Sequence, residues 1–106
     1  MSRIPALRAF LEKKPTDRFA LYALAMELRK DLDPEAEIRF RELLTAYPEA
    51  GPAWLQFGNL YAELERLDDA IGVWREGLVA LKGRTDADSK KAYGEIEAAL
   101  ISVDAD

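Results

Sequence analysis

Any catalytic chemistry in this chain would have to come from carboxylates, because the sequence contains no His and no Cys. Imidazole is the usual general base near neutral pH, and imidazole and thiolate are the usual zinc ligands. Most hydrolytic, thiol-dependent and zinc-dependent constellations are therefore excluded. The lack of Cys also rules out a disulfide framework. The carboxylates whose spacing bears on acid–base or metal chemistry are Asp68-Asp69, the pair Asp31 and Asp33, and the separate Glu27 and Glu63. Asp68-Asp69 opens an expected helix, where carboxylates complement the dipole and cap free amides, and Asp31 and Asp33 flank a tight turn before Pro34. Neither group has the oxygen-ligand spacing of a calcium loop, and there is no Gly-rich phosphate cradle or Ser nucleophile motif. Glu27 or Glu63 would need a closed pocket and a raised pKa to act as acid or base. The expectation is a protein that is not an enzyme, with no cofactor and no metal.

Binding chemistry has a better candidate in Asn59, the only asparagine of the chain. Its amide offers two donors and an acceptor, enough to grip the backbone of an extended peptide or one carboxylate oxygen. It occupies a helix interior, where asparagine is a mediocre former. Two readings are open for it: contact with a bound segment, or a solvent-facing amide that bonds a nearby helix end.

The elements that must position these groups read as helix throughout, with apolar residues at three- and four-residue spacing between Pro, Gly and Asp punctuation. The first helix, about Ile4 to Lys13, carries Ile4, Leu7, Phe10 and Leu11, with Pro5 in its first turn and Pro15 beyond its end. The second runs from about Asp17, its cap, to Lys30, with Leu21, Leu24, Ala25 and Leu28 as its buried stripe. The third begins around Pro34, carries Ile38, Phe40, Leu43, Leu44 and Tyr47, and stops at Pro48. After Gly51-Pro52 the fourth presents Trp54, Phe57, Gly58, Tyr61 and Leu64. The fifth runs from about Asp68 through Ile71, Trp74 and Leu78 to Leu81 and ends at Gly83. Thr85-Asp86-Ala87-Asp88 resembles a capping box and opens a last helix with Ala92, Tyr93, Ile96, Ala99 and Leu100. The polar end Asp104-Ala105-Asp106 is expected to fray. The fold class is all-α, with about six helices.

These helices come in related pairs. The second pair reads Trp54-x2-Phe57-Gly58-x2-Tyr61-x8-Ala70-x3-Trp74-x2-Gly77-x4-Lys82. The first reads Leu21-x2-Leu24-Ala25-x2-Leu28-x7-Ala36-x3-Phe40-x2-Leu43-x4-Pro48, the same order with a turn one residue shorter. Small residues at Gly58, Ala25, Ala70 and Ala36 make room where helices cross, so that Trp74 and Phe40 interdigitate. The pattern resembles the tetratricopeptide repeat, a unit of roughly 34 residues made of two antiparallel helices. Gly77 stands where that family often has Ala, and Lys82 replaces its usual terminal Pro. The resemblance implies a right-handed α-solenoid of antiparallel helix pairs. It divides a single domain, 1–106, into an N-terminal half repeat (1–15), a first repeat (17–48), a second repeat (51–82) and a C-terminal capping helix (85–103).

In this family the first helices of the pairs line the concave side of the stack. That places Phe19, Tyr22, Met26 and Arg29 on one binding line, and Pro52, Leu55, Asn59 and Ala62, with Gln56 and Glu63 beside them, on the next. Tyr22, Met26 and Leu55 lie outside the stripe needed for helix pairing; they either meet a partner or are covered by the first or last helix. Phe19 serves equally as a staple against the first helix. In tetratricopeptide domains that bind acidic chaperone tails, an Asn matching Asn59 works with several Lys and Arg. Here Leu55 stands where that clamp has a Lys, so chaperone-tail binding is not expected. Arg29, Lys30, Lys90 and Lys91 supply positive charge at the rims.

Composition sets the remaining bounds. A chain of 106 residues with 49% hydrophobic content can build one domain core. A formal net charge of −5 opposes the basic footprint of nucleic-acid binding. The charge is uneven: residues 1–50 carry nine basic and nine acidic groups, and residues 51–106 carry six and eleven. No apolar run approaches the roughly 20 residues of a membrane span, and the start of the chain lacks a secretory signal, so a cytoplasmic protein is expected. The functional expectation is a non-catalytic scaffold that binds a peptide or helix of a partner protein in the concave groove. The alternative is self-assembly as a homodimer through the groove or a solenoid edge. Neither nucleic acid nor membrane is expected as a partner.

Overall fold

The computed structural model describes residues 2–104, and over them the chain is helical with no strand. Ala105 and Asp106, expected to fray with Asp104, lie outside the described residues, and Asp104 closes the last helix. The backbone divides into two compact units at the Tyr47–Pro48 step.

The first unit contains α1 (Ile4–Lys13), α2 (Arg18–Lys30) and α3 (Glu35–Ala46). The Ser2 hydroxyl accepts from the Ile4 amide at 3.1 Å to start α1, and the Asp17 carboxylate caps α2 by accepting from the Ala20 amide at 2.9 Å. Helix α2 ends in a Schellman turn: the Asp33 amide donates to the Leu28 carbonyl (3.1 Å) and the Leu32 amide to Arg29 (2.9 Å). This turn needs a left-handed residue, and Leu32 supplies it at φ 53° without being glycine. Asp33, expected only to flank the turn before Pro34, then caps α3 by accepting from the Glu35 amide at 2.8 Å.

Leu21, Leu24, Ala25 and Leu28 of α2 pack against Ala36, Phe40, Leu43 and Leu44 of α3, all buried, and Leu11 of α1 joins them. The Tyr47 hydroxyl donates to the Thr16 carbonyl at 2.6 Å and ties the end of α3 to the α1–α2 loop. Arg8 and Arg39 both bond Glu35, at 2.8 and 3.1 Å. Two of the apolar residues in these helical patterns are exposed: Ile38 at 57% and Phe10 at 45%. Ile38 lies two residues before Phe40, so at about 100° per residue it points to the opposite side of α3. Phe10 sits one position from the buried Leu11, on a flank of α1 that no neighbouring helix covers.

The second unit contains α4 (Gly51–Glu63), α5 (Leu67–Leu81) and α6 (Ala87–Asp104). Helix α4 ends as α2 does, with Arg66 N–H to Tyr61 O (2.8 Å), Glu65 N–H to Ala62 O (3.0 Å) and Glu65 left-handed at φ 60°. The turns of the two pairs are thus the same. The missing residue of the first pair is absorbed at the start of α3, where Ala36 and Glu37 bond three residues back, while Ala70 in α5 bonds four back.

Gly58 marks the α4–α5 crossing. A Cβ there would fall within the Trp74 indole, whose Nε1 donates to the Leu55 carbonyl at 3.3 Å. Gly77 does the same service on α5, since a Cβ would sit 2.9 Å from Trp54 Cβ and 3.3 Å from Ile96 Cδ1 of α6. Trp54 Nε1 donates to the Pro48 carbonyl at 2.7 Å. Helix α6 packs on both α4 and α5 through the buried Ala92 and Ile96, and Ala92 Cβ lies 2.5 Å from where a Cβ on Gly51 would be.

The helix starts differ from expectation in two places. Helix α6 is capped by Asp86 rather than Thr85: the Asp86 carboxylate accepts from the Ser89 amide at 3.1 Å. Asp68 and Asp69 lie in the first turn of α5 but supply no side-chain cap; Asp69 instead pairs with Arg66 at 2.8 Å.

Candidate functional site

In the first unit, Phe19, Tyr22, Met26 and Arg29 follow one another along α2 at helical spacing. Phe19 is 84% exposed and the other three are half-buried. Phe19 and Tyr22 form one wall of an open groove of about 410 Å³, and Leu7 and Phe10 of α1 form much of the other. Arg3 and Asp17 also line it. That volume falls in the range of ligand clefts, about 300 to 1,000 Å³. Lys14 Nζ stands 5.8 Å from the Phe10 ring centroid and brings a second cation close to the apolar wall. Burial pushes the Tyr22 phenol above the ordinary tyrosine range, against the opposing pull of the Arg29 charge. Met26 and Arg29 continue the line of α2 beyond the residues that line this groove.

In the second unit, Leu55, Asn59 and Ala62 are half-buried on α4, and Glu63 is exposed. Leu55, with Pro52 and Gln56, faces Asp88, Lys91 and Glu95 of α6 across a smaller groove of about 220 Å³. Asn59 follows Leu55 by one helical turn on the same face of α4. Lys91 borders this second groove, while Lys30 on α2 pairs with Glu27 at 3.1 Å.

Glu27 is held by Lys30 and, at 3.9 Å, by Arg3, and Glu63 sits at the surface. No group of three His, Cys, Asp or Glu among the described residues is placed to hold a metal ion, and no described helix is long and apolar enough to cross a membrane.

Helical periodicity separates the α2 and α4 lines from the pairing stripes, but the opposite walls of the two grooves are not legible in it. In the sequence Leu7 and Phe10 read as part of the apolar stripe of α1, Asp88 reads as part of a capping box, and Glu95 carries no signal. A signal for the first was present: Ile4, Leu7, Phe10 and Leu11 spread over more of a short helix than one partner helix can cover. The second depends on where α6 docks, which no local pattern encodes.

No family model and no curated protein matches the chain. Among solved structures it is similar to the tetratricopeptide repeat domain protein of Salinibacter ruber, with 29% sequence identity and a TM-score of 0.69, over 84% of this chain and 97% of that one.

Proposed function

Starting from a chain that has the tetratricopeptide-like fold of helical repeats, we propose that it is a non-catalytic cytoplasmic scaffold that binds a peptide or helix of a partner protein, with the α2 line of the first unit and the α4 line of the second as separate contact surfaces. The observation that carries this reading is the 84% exposure of Phe19 beside the half-buried Tyr22 in an open, largely apolar groove. Neither side chain belongs to the stripe that pairs α2 with α3, and Phe19 stays exposed although α1 packs on α2. Apolar anchors from the partner would supply most of the affinity. On the α2 surface Arg29 would fix the direction of a bound segment with Met26 as an apolar contact; on the α4 surface the Asn59 amide would do so, with Leu55 and Ala62 as apolar contacts and Glu63 at the rim.

Affinity capture tests the reading with wild-type, Tyr22→Ala and Leu55→Asp proteins side by side. All three should remain folded by circular dichroism, because neither residue belongs to a pairing stripe, and the two variants should lose the captured partner. Retention by both variants would refute the groove. The second reading, self-assembly of the chain, is favoured by a different observation: Ile101 on α6 is 69% exposed. Light scattering over a range of concentrations separates the two.

A further inference from the structure

The last helix carries two faces. One buries Ser89, Ala92 and Ile96 against α4 and α5; the other presents Gly94, Ala98 and Ile101, all exposed and spaced by four and three residues. A helix that merely closes a repeat stack keeps its outer face polar. Flanking this strip, Glu95 and Glu97 make no ion pair among the described residues. From Gly94 to Asp104 the helix holds three acidic residues and no basic one.

The α1–α2 groove has the opposite character. Between Ser2 and Lys14 there are four basic residues and one acidic residue; Arg8 is taken up by Glu35 at 2.8 Å and Arg3 lies 3.9 Å from Glu27, so the cationic edge is carried mainly by Lys13 and Lys14. Arg3 lines the groove, Lys14 stands beside Phe10, and Lys13 makes no ion pair among the described residues. Asp17 lines the groove too, but its carboxylate is engaged by the Ala20 amide.

We propose that the C-terminal half of α6 from one copy of the chain docks in the α1–α2 groove of another. Ile101 seats among Leu7, Phe10 and Phe19, and Glu95 and Glu97 approach Arg3 and Lys14. The contact is heterologous, because each copy offers a different surface to its neighbour. This inference rests on the interaction-module reading in its self-assembly form, names the second copy as the occupant of this groove, and leaves the α4 line uninvolved.

Sedimentation of the 106-residue chain between about 10 µM and about 1 mM, the range where a single helix-in-groove contact becomes populated, is the first test. The average mass should rise with concentration and fall back as salt screens the charges. Phe19→Glu removes the groove and Ile101→Glu removes the docking helix face. Both side chains are exposed, so both variants should keep the wild-type circular dichroism, and Phe19→Ala and Ile101→Ala replace either one that does not. Each variant alone should stay monomeric, yet an equimolar mixture should regain a one-to-one dimer through the single intact contact. A wild-type chain that is monomeric throughout, association that survives both substitutions, or a mixture that stays monomeric would each overturn the proposal. A monomeric chain that still captures a foreign partner through Tyr22 and Leu55 overturns this inference alone. A self-associating chain that captures nothing overturns the partner reading alone.

Discussion

Replacing Gly58 with Ala is the sharpest probe of how the α4–α5 pair is built. The added methyl would occupy the space of the Trp74 indole, which is 3% exposed and has no room to swing outward without breaking its bond to the Leu55 carbonyl. Overpacking of this kind costs about 1 to 3 kcal/mol, and loss of the indole hydrogen bond adds about 1 kcal/mol. Against these, Ala is favoured over Gly in a helix interior by about 1 kcal/mol. The sum is a destabilisation of about 1 to 3 kcal/mol. Gly72 supplies the internal control, because it is exposed in α5 and a Cβ there meets nothing within 4 Å. Gly72→Ala should therefore stabilise by about 0.5 to 1 kcal/mol, the propensity gain alone. Both tryptophans, Trp54 and Trp74, lie in the second unit, so urea unfolding followed by their emission reads that unit directly. Trp74→Leu made in the Gly58→Ala background should cost less than the two changes added separately, since the smaller side chain relieves the overlap. Equal midpoints for Gly58→Ala and Gly72→Ala, or strict additivity in the double variant, would refute the close-crossing argument.

Further outcomes follow from the same geometry. Ala70 is fully buried, and Ala70→Leu should lower stability by about 1 to 3 kcal/mol in the same urea assay. Glu65 is exposed and left-handed at φ 60°, so Glu65→Gly should raise stability by about 0.5 to 1 kcal/mol, visible as a higher thermal midpoint. Hydrogen bonds from Ser89, side chain first and backbone second, hold the Asp86 carboxyl below the ordinary aspartate range. A carboxylate depressed in the folded state adds stability above its unfolded pKa and loses it as pH falls through its folded value. Acid titration should accordingly loosen the start of α6 in the wild type, with a flatter pH dependence in Asp86→Asn by circular dichroism. The Tyr22 phenol is raised by burial, so in the wild type it should ionise above the ordinary tyrosine range, and a partner seated on α2 should delay it further. Phenolate absorbance compared with Tyr22→Phe reads this, and an unchanged titration on partner binding would remove Tyr22 from the contact.

Much of the architecture is written locally. Asp17 before an apolar stripe, Pro5 and Pro52 in first turns, and Asp33 ahead of α3 act within a few residues, so their helix boundaries can be read from the chain alone. The crossings were also legible, because only a residue without bulk can stand where Trp74 passes Gly58. Turn geometry was not. The Schellman turns after α2 and α4 use Leu32 and Glu65 in a left-handed conformation that normally favours Gly, so composition carried no sign of it. The exposure of Ile38 follows from its position two residues before Phe40, which its hydrophobicity alone does not reveal.

The candidate surfaces divide along the same line. The sequence determined which residues of α2 and α4 fall outside the pairing stripes, since helical periodicity sets the face each side chain occupies once the stripe is known. Tertiary packing alone brought Leu7 and Phe10 opposite Phe19 and Tyr22, set Leu55 across from Asp88 and Glu95, and turned Gly94, Ala98 and Ile101 of α6 outward. Periodicity is a property of neighbours along one helix, whereas a groove is made by two helices. Its second wall is set by the depth and rotation at which they pack, and that depends on the combined volume of side chains distant in the chain.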